Sequence, residues 1–307
     1  MDVILQRRCN KVIKSKLSTF SLAALLLAVA LLAAGCVDST DSPENEAAPE
    51  ESVVMVTTPY GTAVSSSNVM KLVLEEAGYD VELKMADVGV AWQSVADGSS
   101  DVLMDAWLPD THKQYMDKYE NDVIAAKTNL EGGTRCGLVV PAYVTINSID
   151  ELNSEKEKFD GRIIGIEPGA GIMISSENAI EEYGLDYELM TGSEVSMITT
   201  LMDAIDSEEW VVITGWSPHW KFQRWDLKYL DDPKGVYGDK GDIVTIARLG
   251  MDEDSPEAYA ILERFEWTPA DMEAVMYDME QGMTEEEAAA KWIENNRDQV
   301  DMWLGNE

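Results

Sequence analysis

A chain of 307 residues is long enough for two domains of ordinary size. Its 58 acidic side chains outnumber 23 basic ones, for a formal charge of −35, which argues against nucleic acid as a partner and for a strongly solvated surface. Two histidines and three cysteines do not build a metal cluster or a disulfide framework, so neither a metal nor a cofactor is expected.

The first 36 residues read as a leader. Arg7, Arg8, Lys11, Lys14 and Lys16 precede an apolar segment over residues 20–32, and Ala33-Ala34-Gly35 is a small-residue site directly before Cys36. That placement resembles a lipoprotein signal, with Cys36 as the lipidated first residue of the processed chain; ordinary cleavage and an uncleaved anchor are the alternatives. Residues 37–51 are acidic and proline-containing and read as a flexible tether. No later apolar run is long enough to span a bilayer. The expectation is a body held by a lipid anchor on the outer face of the cell membrane.

The body then alternates short apolar runs with helical spacing. Strands are predicted at 53–57, 81–85 and 101–106, with helices at 65–78, 90–97 and 111–119; Gly78 and Gly98 close the first two helices. Residues 132–144 break the rhythm and read as a strand crossing to a second lobe. A turn of helix at 149–152 follows, with Ser148 as its N-cap. The alternation resumes with strands at 163–166, 187–190 and 210–214 and helices at 172–183 and 195–205. Residues 242–249 form an apolar strand that returns to the first lobe, and the rest is helical, at 258–265, 269–281 and 284–296.

The two stretches are related. Trp107 and Trp216, Pro109 and Pro218, and Pro59 and Pro168 recur at one common offset. Each half opens strand–loop–helix and closes on a strand that runs into a Trp turn. The predicted fold class is therefore α/β, a two-lobed periplasmic-binding-protein-like fold with mainly parallel strands and a ligand in the interlobe cleft. Lobe 1 takes residues 52–141 and 242–307, and lobe 2 takes 142–241. No GxGxxG follows a strand, which argues against a Rossmann enzyme.

Trp107 and Trp216 stand at strand ends, where aromatic faces can hold a cation. Trp92, at a helix start, suits either such a cage or the core. Trp210, Trp267, Trp292 and Trp303 sit inside apolar periodicity and are assigned to packing. The loop from Pro168 to Ile172 joins a strand to a helix N-terminus, where unpaired N–H groups bind anions. It has no P-loop lysine, so a carboxylate suits it better than a phosphate, though a tight structural turn reads equally well. His112 could donate to that carboxylate. His219 has the weaker case. Ser175 and Ser176 lack a GxSxG frame and no triad order emerges, so an enzyme is not expected. Cys136 reads as a small buried hydrophobe.

Taken together, AWLPDTH, GWSPHWKF, WDLKYLDDP, VAWQSVADG and IGIEPGAGIM resemble the glycine betaine substrate-binding proteins of ABC transporters, an osmoprotectant uptake family. The resemblance runs from about Val53 to Trp267. It implies a trimethylammonium held by three tryptophans, here Trp92, Trp107 and Trp216, and a carboxylate held by His112 and the backbone amides of Gly171 and Ile172. It also implies an ABC permease and ATPase as partners and glycine betaine, with proline betaine next, as ligand. A choline or carnitine binder of the same fold and a chemosensory ligand-binding protein are the alternatives.

Overall fold

A computed structural model describes residues 51–306. The predicted leader, Cys36 and all but the last residue of the tether lie outside the described residues.

Five elements follow one another in each half. The first half has β1 (Ser52–Thr57), α1 (Gly61–Glu76), β2 (Asp80–Met85), α2 (Val88–Ala96) and β3 (Val102–Leu108), then α3 (Lys113–Tyr119). A long strand, β4 (Val123–Pro141), and a 3-10 segment (Ile149–Phe159) lead onward. The second half has β5 (Arg162–Ile164), α4 (Gly171–Tyr183), β6 (Glu188–Met190), α5 (Glu194–Asp206) and β7 (Ile213–Ser217). It ends with α6 (Lys221–Arg224) and β8 (Leu227–Tyr229), after which β9 (Gly241–Arg248) returns. The tail is α7 (Met251–Asp254), α8 (Pro256–Arg264), α9 (Pro269–Glu280), α10 (Glu285–Asn295) and α11 (Arg297–Leu304).

The strand order is β2-β1-β3-β9-β4-β7-β5-β6, with β8 paired to β4. Within each half the three strands are parallel, β1 between β2 and β3, and β5 between β6 and β7. The repeat seen in the sequence is thus a repeat of the βαβαβ unit. The two linking strands are antiparallel to their neighbours. β4 pairs with β9 as far as Thr134 and with β7 from Arg135 onward, so one strand serves both halves of this two-lobed fold. It starts well before the predicted residue 132, because Lys127, Asn129 and Glu131 obscure the apolar alternation there.

Other boundaries moved for local reasons. α1 begins at Gly61, four residues early, and Ser65, Ser66 and Ser67 are buried inside it. Ser65 and Ser66 return their hydroxyls to carbonyls one turn back. That bonding lets polar residues sit on a buried helix face. Ser148 occupies the predicted N-cap position but makes no capping bond; its hydroxyl donates to the Asp231 carbonyl at 3.3 Å. The tail divides into more helices than predicted, and α8, α9 and α10 pack on α1 as expected. There Phe265, Trp267, Trp292 and Trp303 form one aromatic cluster, with the last two stacked at 5.6 Å. Trp210 packs on Phe159 at 5.2 Å. No helix among the described residues is long and apolar enough to cross a membrane.

Candidate functional site

The C-terminal ends of β1, β3, β5 and β7 meet at one place, the position where open α/β sheets leave a crevice. A cavity lies there. β1 delivers Tyr60 as the residue just before α1. β3 delivers Asp105 and Trp107, and the following turn Thr111 and His112. The β5–α4 loop delivers Ala170, Gly171 and Ile172. β7 delivers Trp216. The peptide bonds Leu108–Pro109 and Ser217–Pro218, which follow the two tryptophans, are both cis.

The structure brings together five of the six residues expected to touch a ligand: Trp107, Trp216, His112, Gly171 and Ile172. Trp92 is not among the cavity residues. It is fully buried with Val88, Ala91 and Val95, one continuous helical stripe of α2 packed behind β3. Its ring stacks on Tyr115 at 6.0 Å and meets His112 edge-on at 6.3 Å. It backs the histidine from outside the cavity.

The third aromatic wall is Tyr60, which meets Trp216 edge to face with centroids 6.1 Å apart. A signal for it was present. Pro59 and Pro168 are equivalent positions in the two halves, so Tyr60 opens the same strand–loop–helix turn in the first half that carries Gly169 in the second. Thr62 and Asp105 also line the cavity and were missed. Burial pushes the Tyr60 phenol well above its usual pKa, helped by the nearby Glu167 and Glu194 carboxylates.

The protonation of His112 is fixed by its own turn. Its Nδ1 accepts the Trp107 backbone N–H at 3.0 Å, and its backbone N–H donates to the Trp107 carbonyl at 2.8 Å. Burial holds its pKa down to about 4. At neutral pH the ring is uncharged with its proton on Nε2, a donor with no protein partner among the described residues. The first turn of α4 supplies more donors. The Gly171 and Ile172 N–H groups have no partner among the described residues, and no acidic side chain lies in that turn. Gly171 has no alternative, since a Cβ there would lie 2.0 Å from the carbonyl oxygen of Thr111.

Behind Trp216 lies a buried polar group of a different kind. His219 Nδ1 accepts the Lys221 N–H at 3.1 Å, so its Nε2–H donates to Glu194 Oε1 at 2.9 Å. Burial, then Lys221, lowers His219 to about 4, which makes this a neutral imidazole on a carboxylate rather than an ion pair. Glu194 Oε2 accepts the N–H of Gly61 at 3.1 Å. Burial opposes its charge, but His219, Lys221 and Gly61 together keep its pKa below the ordinary value. Lys221 is fully buried, donates to the Trp216 carbonyl at 3.0 Å and lies 4.4 Å over the Trp216 ring. His219 therefore spends both ring nitrogens on structure. Ser176 does likewise, donating to the Ile172 carbonyl at 2.8 Å and accepting from Tyr237.

The two halves touch across the cavity. Tyr115 donates to the Gly169 carbonyl at 2.7 Å, and Gly61 N–H reaches Glu194. Among the described residues the polar groups lining the cavity are thus neutral donors and the Asp105 carboxyl, set among aromatic rings and the apolar Ile166, Ala170 and Ile172.

A family model for the substrate-binding domain of ABC-type glycine betaine transport systems matches residues 51–295. The glycine betaine/carnitine transport binding protein GbuC of Listeria monocytogenes serotype 1/2a (strain 10403S) is 44% identical over 171 residues. That match covers 55% of this chain and 55% of GbuC, so the chain spans about half the length of that curated relative. Lactococcal OpuAC, solved closed with glycine betaine, superposes with a TM-score of 0.80 at 44% identity, covering 83% of this chain and 100% of that one. The glycine/betaine/L-proline-binding protein ProX of Borrelia burgdorferi gives a TM-score of 0.80 at 34% identity, covering 82% and 96%.

Proposed function

The chain belongs to the family of substrate-binding domains of ABC-type glycine betaine transport systems, and from that membership and the chemistry of the cavity we propose that it captures glycine betaine for import. The observation that carries the reading is one cavity lined both by aromatic rings and by uncharged N–H donors. A trimethylammonium has no N–H to donate, so ring faces are the groups that suit it, at about 0.5–2 kcal/mol per desolvated contact. Trp107, Trp216 and Tyr60 take that role. The carboxylate of the zwitterion goes to His112 Nε2–H and the amides of Gly171 and Ile172, at the positive end of α4. The relatives support the same ligand: GbuC is named for glycine betaine and carnitine, and OpuAC was solved with glycine betaine.

In this reading residues 52–141 with 242–307 form one lobe and 142–241 the other. β4 and β9 are the crossings about which the lobes part and close. The chain works outside the cytoplasm, held to the outer face of the membrane through Cys36, and its closed form docks on an ABC permease and ATPase. It binds its ligand and does not transform it, as its family does.

Calorimetric titration with glycine betaine and with choline at matched salt tests the assignment. Choline has no carboxylate and leaves the His112 and Gly171 donors unpaired. Tight betaine binding with weak choline binding is expected. The opposite order would assign the protein to choline and leave those donors without their role.

A further inference from the structure

Among the described residues Asp105 is the one carboxyl group that lines the cavity, and nothing in the proposed capture of a zwitterion uses it. It is 3% exposed. Its Oδ2 accepts from the Thr62 hydroxyl at 3.1 Å. Its Oδ1 has no hydrogen-bond partner among the described residues; the Trp107 side chain lies near enough to act on the carboxyl but outside hydrogen-bonding geometry.

No basic side chain among the described residues acts on it. Glu194 on α5 faces it and repels its charge. His112, at the start of α3, is neutral. The Cys136 thiol on β4 is pushed up to about 11, mainly by burial, and the Tyr60 phenol is also raised, so both keep their protons. Lys221 lies behind Trp216 and is engaged with that residue's carbonyl and with Glu194. A buried carboxylate with an open oxygen and no counter-ion is strongly disfavoured. Burial raises its pKa to about 7, so below neutral pH the group is held largely as the neutral acid.

We propose that Asp105 is the proton-releasing counter-charge of this site: when a cationic head enters the aromatic cage, the carboxyl gives its proton to solvent and the ligand's positive charge takes the place of that proton. The inference rests on the proposed binding of a quaternary ammonium. The balance is simple. The neutral acid and the zwitterion combine to give carboxylate and bound zwitterion, and one proton leaves to buffer. Capture and acidity are then linked. Affinity rises with pH until the empty site is already ionised, and it falls about tenfold between pH 8 and pH 6.

The test is calorimetry of the purified protein with glycine betaine at pH 6, in two buffers of different ionisation enthalpy. The wild-type protein should release close to one proton per ligand at pH 6 and only a small fraction at pH 8. Asp105→Asn, which keeps the size and the Thr62 contact, should release none and lose the pH dependence. Betaine binding by the wild type without proton release would overturn the proposal and leave the capture function standing. Release that persists in Asp105→Asn would also overturn it and move the proton to Lys221 or Glu167, the other groups nearby with perturbed titration. No binding at all would overturn the capture function itself, and the proposal with it. Should Asp105→Asn fail to fold, difference infrared spectra of the wild type decide the matter. Loss of a protonated-carboxyl band on adding betaine supports the proposal, and an unchanged band overturns it.

Discussion

Tyr60 and Trp216 meet edge to face at 6.1 Å although one leaves β1 and the other ends β7. Each half of the molecule therefore gives one of its own rings to a shared wall, and neither half holds the complete wall alone. Removing the Tyr60 ring should be felt at the ligand while the fold remains. Tyr60→Ala should weaken glycine betaine binding by about 3- to 30-fold, the range of one desolvated cation–π contact. Tyr60→Phe should stay within about threefold, since the ring face rather than the hydroxyl makes the contact. Calorimetric titration of the two variants checks this.

Gly171→Ala should be harsher. The added methyl meets the backbone oxygen of Thr111, which has no side-chain freedom with which to yield. The clash exists only where Thr111 and Gly171 approach across the cavity, so closure should suffer more than folding. Binding should fall by at least about 100-fold, because the loss of a backbone donor adds to the misfit. The melting temperature without ligand should move by only a few degrees. A large melting shift would mean that the approach is needed to fold, not only to close.

Trp92 gives the opposite pattern. It backs His112 and lies outside the cavity. Trp92→Phe should therefore leave betaine affinity within about threefold while stability falls by about 1–2 kcal/mol, the removal of a buried unpaired indole N–H partly offsetting the lost volume. A tenfold loss of affinity with unchanged melting would return Trp92 to the cage.

Between pH 7 and pH 4 the pH dependence of folding is led by His112, His219 and Asp105. His112 and His219 titrate near 4 in the fold, below the unfolded value of about 6.5. The unfolded chain thus binds more protons between these values, and each histidine contributes a stability loss of about 3 kcal/mol as pH falls from about 6.5 to 4. Asp105 acts in the other direction. Its folded pKa near 7 lies above the unfolded carboxyl, so the folded state keeps an extra proton between about 4 and 7 and loses stability as pH rises through that window. The two histidines, joined by Glu194, whose pKa is lowered in the fold, and by Lys221, lowered to about 7, outweigh Asp105 and leave a net loss toward acid. Thermal melts from pH 7 to 4 should show it, and Asp105→Asn should steepen the slope.

Much of this arrangement was legible in the chain. The constant offset between Trp107 and Trp216 and between Pro59 and Pro168 exposed two related halves, and each marks a strand end that now borders the cavity. Trp92 was open between cage and core in the sequence; the spacing of Val88, Ala91, Trp92 and Val95 already describes one buried helix face. Tyr60 is marked only by the Pro59–Pro168 offset, because it lacks the Trp turn that marks Trp107 and Trp216. Asp105 and Glu194 could not be found by pattern at all. In sequence they are two acids among 58, and only the fold removes them from water and sets one against a cavity and the other against Gly61.

The double passage of the backbone through β4 and β9 has a consequence for synthesis. β3 pairs with β1 early but finds its second neighbour only when β9 arrives, more than a hundred residues later, whereas β5, β6 and β7 close on one another and on β4 beforehand. During translation the middle of the polypeptide can mature while its beginning waits with an open sheet edge. Long-range pairing of that kind is slow, so the opening segment is the part of the nascent chain most in need of protection from aggregation.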